Sequence, residues 1–241
     1  MQKVKSNTTF ENDMKEFLNR KGSDTTFQWG RLYPVLEDKL AEGGTMNGHY
    51  FHQDLYVAQQ IYEANPQKHL DIGSRTDGFV AHVAVFREIE IIDIRPIHSY
   101  VKNIVFRQAD LMHLPEDLKN YCDSVSSLHA IEHFGLGRYN DPIDYFGYLK
   151  GIENITRILK SGGTFYFSVP IGPQRIEFNA HRVFSLEYLI RILTPDYFIR
   201  SFSYVNDRGD LIKNADLTEQ SIQSNFSCWY GCGIFTLIKK N

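Results

Sequence analysis

The feature that most constrains this chain is an alternation between residues 69 and 170: short apolar runs ending in a polar residue, interleaved with stretches of helical spacing. "HLDIGS" (69–74) closes on a Gly turn, and "GFVAHVAVFRE" (78–88) then places Phe79, Val80, Val83 and Ala84 on one helical face. "EIEIIDIR" (88–95) ends at Asp93, "NIVFRQADL" (103–111) at Asp110 and "CDSVSSLHAI" (122–131) near His129; "TFYFSVP" (164–170) is the fifth run. Before it, 141–160 predicts the clearest helix, with Asp141 as N-cap and Pro142 in the first turn. Ile143, Phe146, Leu149, Ile152, Ile155 and Leu159 form its stripe, and Gly162-Gly163 stops it. Such alternation builds βαβ units, hence a parallel sheet with helices on both faces.

The two ends break the rhythm. "YFIRSFSYV" (197–205) and "GCGIFTLIKK" (231–240) read as strands without a crossover helix between them, which predicts an antiparallel hairpin. The expected fold is therefore α/β: a doubly wound, Rossmann-like, seven-stranded, mostly parallel sheet with an antiparallel C-terminal edge hairpin. Towards the N-terminus, "FENDMKEFLNRKG" (10–22) predicts a short helix closed by Gly22, and "GGTMNG" (43–48) a hinge. Leu55, Ala58, Ile61 and Tyr62 share one face of a helix over 53–65, stopped by Asn65-Pro66. The division read from this is a helical arm or lid over 1–48 and a catalytic domain over 49–241.

Composition narrows the class. A net charge of −3 gives no electrostatic footprint for nucleic acid or an anionic membrane, and no run of 18 apolar residues offers a membrane span. "MQKVKSNTTF" lacks the apolar stretch of a signal peptide, and Cys122, Cys228 and Cys232 form no disulfide framework. The expectation is a cytoplasmic protein with reduced thiols. An aromatic share of 14% suits either thick core packing or an apolar-walled ligand site.

In open α/β sheets ligands bind beyond the carboxyl ends of the strands, where the strand order reverses. Asp71-Ile-Gly73-Ser74, Asp93, Asp110 and His129 fall at four successive strand ends. Gly73 lets a ligand approach the backbone, and Asp93, 20 positions later, has the spacing of an acid that accepts from ribose hydroxyls. Singly, each has a structural reading: a D-x-G turn, or an Asp110 that caps the next turn. Together they point to an adenosine-type cofactor. A dinucleotide needs G-x-G-x-x-G, whereas this turn reads G-S-R-T-D-G, with Arg75 where the pyrophosphate would touch backbone. No P-loop is present, so a cofactor without a pyrophosphate fits better.

The order Asp71-x-Gly73, Asp93, "QADLMHLP" (108–115), "CDSVSSLHAIEHF" (122–134), "ITRILKSGGTFYFSVP" (155–170) and the closing antiparallel pair closely resembles class I S-adenosylmethionine-dependent methyltransferases, over about residues 50–240. "GHYFHQDLYVAQQI" (48–61), "FGLGRYNDP" (134–142) and "FNAHRVFS" (178–185) resemble an uncharacterised bacterial branch associated with surface-polysaccharide (capsule or O-antigen) biosynthesis. The resemblance implies that Asp71, Gly73 and Ser74 form the turn facing the methionine part of the cofactor. It puts Asp93, with Ile94, on the ribose, and Asp110, with Leu111, on the adenine. It gives the backbone carbonyl of Leu128, beside His129, to the cofactor's amino group, and makes Tyr50 or Phe51 a lid. Arg75 and Asp77 stand where the family has glycines, and Arg75 can supply the methionine-carboxylate contact itself.

"HAIEHF" (129–134) also reads as H-x-x-E-H, the inverted zinc-peptidase pattern. That pattern needs both histidines on one helical face, and His129 ends a β-type run instead. In the methyltransferase reading the string is a loop beside the transferred methyl group. His133 is then the first candidate for a general base and His181 the second, with Glu132 orienting or charge-stabilising the imidazole. Some methyltransferases hold a divalent cation at a similar E-x-x-E-H string, so His129, Glu132 and His133 form a conceivable ligand set; the assignment made here is no metal. Arg175, Asn179 and Arg182 on the loop 171–185, with Arg138 and Tyr139, are candidates to clamp a phosphate or acidic group. "SLEYLIRIL" (185–193) is a core-facing helix capped by Ser185.

The sequence thus predicts methyl transfer from S-adenosylmethionine, leaving S-adenosylhomocysteine. The acceptor is a small polar molecule, phosphorylated or carbohydrate: an oxygen on a sugar, a sugar-nucleotide or a related capsule precursor. No nucleic acid and no membrane span are expected, and a homo-oligomer is left open. Two rivals stand beside it: a non-catalytic S-adenosylmethionine-binding protein and an H-x-x-E-H zinc hydrolase.

Overall fold

The computed structural model describes residues 2–241, with side chains from Thr8 onward. It divides into a unit ending at Met46 and a unit Asn47–Asn241. In the first, α1 (Gln2–Lys21) runs back well beyond the short helix expected over 10–22. Arg20 and Lys21 in its last turn suit the negative helix end, and Gly22, at φ 52°, terminates it.

The second unit begins with α2 (His49–Ala64), which buries Val57, Ala58 and Ile61 and ends on Asn65 in the left-handed region. It continues through β1 (His69–Ile72), α3 (Ala81–Ala84), β2 (Ile89–Asp93), β3 (Ile104–Gln108) and β4 (Cys122–Leu128). After these come α4 (Gly147–Ile158), β5 (Leu159–Ile171), β6 (Arg175–Glu177), β7 (His181–Val183) and α5 (Leu186–Leu193). The unit closes with β8 (Tyr197–Val205), β9 (Leu211–Ile212), α6 (Glu219–Gln223) and β10 (Gly231–Lys239).

The main sheet has the order β3-β2-β1-β4-β5-β10-β8-β9. Neighbours from β3 to β5 pair in parallel, and β10 is antiparallel to both β5 and β8. The α/β class, the parallel body and the antiparallel C-terminal strands are as the sequence predicts. Eight strands are present, not seven, because two-residue β9 pairs Val205 and Tyr204 of β8. Two residues are too few to leave a period. The hairpin is also not simply an edge: β10 inserts between β5 and β8, and β9 takes the edge. The loop 171–185 likewise holds a separate two-stranded ribbon, β6–β7.

Both faces of the sheet are covered. Val125, Phe165 and Phe167 pack with Ile152 and Ile155 of α4 and Leu189 of α5; Ile89, Ile91 and Ile234 pack with Ile61 of α2 and Val83 of α3. Central β1 is buried at all four positions, as a strand covered on both faces must be. The helix expected over 141–160 starts at Gly147 instead. The Asp141 carboxylate, expected to cap it, accepts from the amides of Gly135 (2.7 Å), Gly137 (3.3 Å) and Tyr139 (3.1 Å). Three amides of the preceding loop thus hold the residue that one helix end would have used. Gly135 sits at φ 79°, and a Cβ there would come within 1.9 Å of the Asp144 carbonyl oxygen.

Candidate active site

The order reverses between β1 and β4, and a cavity of about 250 Å³ opens at the carboxyl ends of the parallel strands there. Gly73, Asp93, Ile94, Asp110, Leu111 and His129 line it, as do Tyr50, Arg75, His133, Arg138 and Tyr139. Gly73, at φ 69°, donates its amide to the Ile92 carbonyl, and a Cβ on it would press to 3.0 Å from Ala130. The turn therefore needs glycine both for its backbone and for the width of the cleft.

Asp71, Ser74 and Leu128 do not line the cavity; they brace it from below. Asp71 Oδ1 accepts from Ser74 Oγ (2.6 Å) and Ser126 Oγ (2.5 Å), and Oδ2 from the Ser74 amide (3.1 Å). Ser74 Oγ in turn accepts from the Leu128 amide (3.0 Å). His69 extends the network, with Nε2 3.1 Å from Ser126 Oγ and Nδ1 2.8 Å from Ser124 Oγ. Burial pushes Asp71 up to about 7 and His69 down to about 3, so this network favours neutral partners.

On the opposite lip, Asp93 is already engaged. Arg95 holds it by both side-chain oxygens (2.9 and 2.6 Å) and by its own amide (2.8 Å), while the guanidinium lies 4.3 Å from the Tyr139 ring centre. Asp110 accepts from the Met112 amide (2.9 Å) and lies 2.9 Å from His113 Nδ1, so it does cap the following turn as well as face the cavity. Arg75 pairs with Asp77 (3.0 and 2.7 Å) and lies over the Tyr50 ring. Tyr50 lines the cavity and Phe51 does not.

The H-x-x-E-H string is not one helix. His129 sits at φ 51° just past β4, and Ile131–His133 form a single 3₁₀ turn. Glu132, expected to orient His133, lies closer to the other histidine: its Oε1 is 2.7 Å from His129 Nδ1 and 3.7 Å from His133 Nε2. His133 is oriented by the Ala180 carbonyl, 2.7 Å from Nδ1. A carbonyl can only accept, so Nδ1 carries the proton and Nε2 keeps its lone pair. Burial holds His133 below the usual imidazole range despite the pull of Glu132.

The remaining candidates scatter. His181 on β7 does not line the cavity, and its Nε2 lies 3.1 Å from Glu177 Oε2, off the line a hydrogen bond needs. Arg182, expected to grip substrate, is buried and donates to the carbonyls of Glu132, Phe134 and Tyr145; its donors tie the loop together. Arg175 pairs with Glu177 and donates to Pro173 and Trp229 carbonyls, and Asn179 is exposed outside the cavity. Arg138 and Tyr139 are the two of that set on the cavity wall. Sequence reasoning passed over Arg95, which lines the cavity two residues past Asp93, although its position alone was a usable signal.

It also passed over a second cluster. His49, at the start of α2, stacks on His129 with ring centres 5.3 Å apart and planes within 8°. Cys232 of β10 completes a trio whose ligand atoms all lie within 4.8 Å of one another. This is the one gathering of three such groups among the described residues, and the His129/Glu132/His133 set is not it. Its members come from three distant segments, which no local motif joins.

A family model described as "Caenorhabditis protein of unknown function, DUF268" matches residues 89–228. The chain belongs to the DUF268 family. The DUF268 match runs from β2 to the segment before β10, so it takes in Asp93, Asp110 and the whole His129–His133 string. The description says nothing of bacterial polysaccharides. No curated protein matches the chain in sequence.

Solved structures supply the fold. The 1,6-didemethyltoxoflavin-N1-methyltransferase of Burkholderia thailandensis, bound to 1,6-didemethyltoxoflavin and S-adenosylhomocysteine, is similar at a TM-score of 0.56 and 15% identity, over 78% of this chain and 79% of that one. The N-methyltransferase NodS of Bradyrhizobium japonicum, in complex with S-adenosylhomocysteine, is similar at 0.53 and 12%, over 80% and 89%. The [4+2]-cyclase SpnF is similar at 0.52 and 15%, over 77% and 81%. The chain therefore has the Rossmann-like methyltransferase fold. A cyclase among these neighbours means that the fold alone does not fix the reaction. Among the described residues no helix is long and apolar enough to cross a membrane.

Proposed function

We propose that this chain is a cytoplasmic S-adenosylmethionine-dependent methyltransferase acting on an oxygen of a small polar acceptor. The observation that carries the reading is the make-up of the cavity lining. One cavity lining brings Gly73, Asp93 and Asp110 at the strand ends together with His133, whose Nε2 lone pair is unprotonated. The solved neighbours that hold S-adenosylhomocysteine support the choice of cofactor.

In the transfer, the acceptor oxygen attacks the sulfonium methyl in line. The O–CH₃ bond forms as the S–CH₃ bond breaks, and sulfur keeps the bonding pair as the neutral thioether of S-adenosylhomocysteine. Positioning supplies much of the acceleration. His133 Nε2 takes the hydroxyl proton, and the Glu132 carboxylate 3.7 Å away stabilises the resulting imidazolium. Arg138 and Tyr139, next to His133 in the lining, would meet a phosphate or sugar ring; a sugar or sugar-nucleotide of surface-polysaccharide assembly is the acceptor class favoured by the sequence resemblance.

Calorimetric titration with S-adenosylhomocysteine tests the cofactor, with NAD⁺ as the control ligand. The wild type binds in the micromolar range, NAD⁺ does not, and Asp93→Ala weakens binding about tenfold or more, or ~1.4 kcal/mol. A folded protein that does not bind S-adenosylhomocysteine ends the methyltransferase reading. With an acceptor in hand, His133→Ala lowers kcat by about 10²–10⁴ while cofactor affinity holds. Because burial lowers the His133 pKa, wild-type kcat/KM stays level at neutral pH and falls only below the usual imidazole range. A protein that binds cofactor but is equally active without His133 has its base elsewhere.

A further inference from the structure

We propose that His49, His129 and Cys232 form a Zn²⁺ site next to this cavity, which His129 alone of the three lines, with Glu132 orienting His129 from behind. The three ligand atoms lie within 4.8 Å of one another. Two observations beyond that proximity point to a cation. His129 Nδ1 is taken by Glu132 at 2.7 Å, which leaves Nε2, and that atom is buried without a hydrogen-bond partner in a side chain only 3% exposed. A carboxylate on the far nitrogen fixes the tautomer and raises the basicity of the near one, as in carboxylate–histidine–metal triads.

The second observation is charge. Glu132 is 1% exposed, its Oε2 is buried without a partner, and among the described residues only the imidazoles of His129 and His133 lie in ion-pair range of it. No Lys or Arg compensates it. Among the described residues only these two imidazoles are placed to balance the buried carboxylate, and a divalent ion on the far side of His129 would add positive charge beside it.

The donor set selects the metal. Two imidazoles and a thiolate suit Zn²⁺ and exclude Mg²⁺ or Ca²⁺, which take oxygen ligands. Tetrahedral Zn–N and Zn–S bonds put ligand atoms roughly 3.3–3.7 Å apart, so the trio, already within 4.8 Å, would close by at most about 1 Å. His49 is the ligand placed to do this: it opens α2 directly after Gly48 at φ 90°, whereas His129 and Cys232 are fixed in or beside the sheet. Three protein ligands leave a fourth position for water. The proposal does not depend on methyl transfer; a zinc site here would stand with any cofactor.

The test is metal analysis of the full chain purified without chelators, followed by Co²⁺ replacement of the zinc. The expected result is about one zinc per chain and a Co²⁺ spectrum with a sulfur-to-metal charge-transfer band and four-coordinate d–d intensity. His49→Ala, at a half-buried helix start, should keep its circular dichroism and melting profile while losing zinc affinity by more than about 100-fold. Glu132→Gln should lose about 10–100-fold. Cys232→Ser should abolish the charge-transfer band, and Cys122→Ala, a buried thiol remote from the trio, should keep it. Folded wild type that takes up no zinc from a micromolar solution overturns the proposal. So does zinc retained in His49→Ala, or a sulfur band that survives Cys232→Ser.

Discussion

Two buried polar clusters meet strand β4, one along its length and one at its end, and they differ in how completely their atoms are bonded. Along the strand, His69, Asp71, Ser74, Ser124 and Ser126 pass hydrogen bonds from one to the next, and none of their buried side-chain atoms lacks a partner. At the end of the strand the opposite holds. His129 Nε2, Glu132 Oε2 and His181 Nε2 are the buried side-chain atoms without a hydrogen-bond partner among the described residues; the first two lie in the string that follows β4, the third on β7 outside the cavity. Native proteins satisfy nearly all buried polar groups, so a local concentration of exceptions marks where something else is meant to bind. The first cluster is bonded as a scaffold is, and the second as a candidate site is.

The largest expected effect breaks this contrast directly. Asp71→Ala strips partners from Ser126, from the Ser74 hydroxyl and from the Ser74 amide, and should cost about 3–4 kcal/mol in urea unfolding. Glu132→Gln removes a buried charge while its amide oxygen still accepts from His129 Nδ1, and should change stability by no more than about 1 kcal/mol. Equal losses in the two variants would make the acceptor cluster scaffold as well.

A pH series sharpens the comparison within the scaffold cluster. His69 falls from 6.5 to about 3 on folding because of burial, so between those values the unfolded chain holds the extra proton and the His69 contribution grows as pH rises. Asp71 rises from 3.8 to about 7, also by burial, so the native state holds the proton and its contribution shrinks as pH rises. The slopes oppose each other across their shared window, each at most about 1.4 kcal/mol per pH unit. Relative to wild type, Asp71→Asn should gain stability as pH rises through that window, and His69→Gln should lose it. Urea midpoints of the two variants that move in parallel with pH would show that the residues do not titrate as a compensating pair.

The scaffold was legible in the sequence and most of the site was not. Apolar runs with a period of two, helices with a period near 3.6 and Asp or Gly at strand ends are local signals, and they gave the parallel sheet, Gly73, Asp93 and Asp110 their places. What failed was decided by competition between segments. Asp141 looked like a helix cap until Gly135, Gly137 and Tyr139 offered it three amides. Arg182 looked like a phosphate ligand but spends its donors on three loop carbonyls. Glu132 had two histidines within reach, and the turn after β4 decides that it bonds the one three residues before it. Cys232 reaches His129 across more than a hundred residues of chain, through the insertion of β10 beside β5, and no spacing rule carries that distance.

The smallest effect concerns the one place where the satisfied side must come undone. For Asp93 to accept ribose hydroxyls, Arg95 has to release at least part of a carboxylate it grips by both oxygens. Arg95 is about half exposed although Asp93 is not, and a pair with one partner open to solvent stays near the upper end of the surface range, about 1 kcal/mol, so the competition is mild. Arg95→Ala should therefore tighten S-adenosylhomocysteine binding by no more than about fivefold, with the opposite sign to Asp93→Ala. Weakening by tenfold instead would mean that Arg95, stacked on Tyr139 at the mouth of the cavity, grips the cofactor itself. Its pairing with Asp93 would then be the resting state of a binding group, and a saturated hydrogen bond on the cofactor side would be as much a sign of function as an unsatisfied one on the acceptor side.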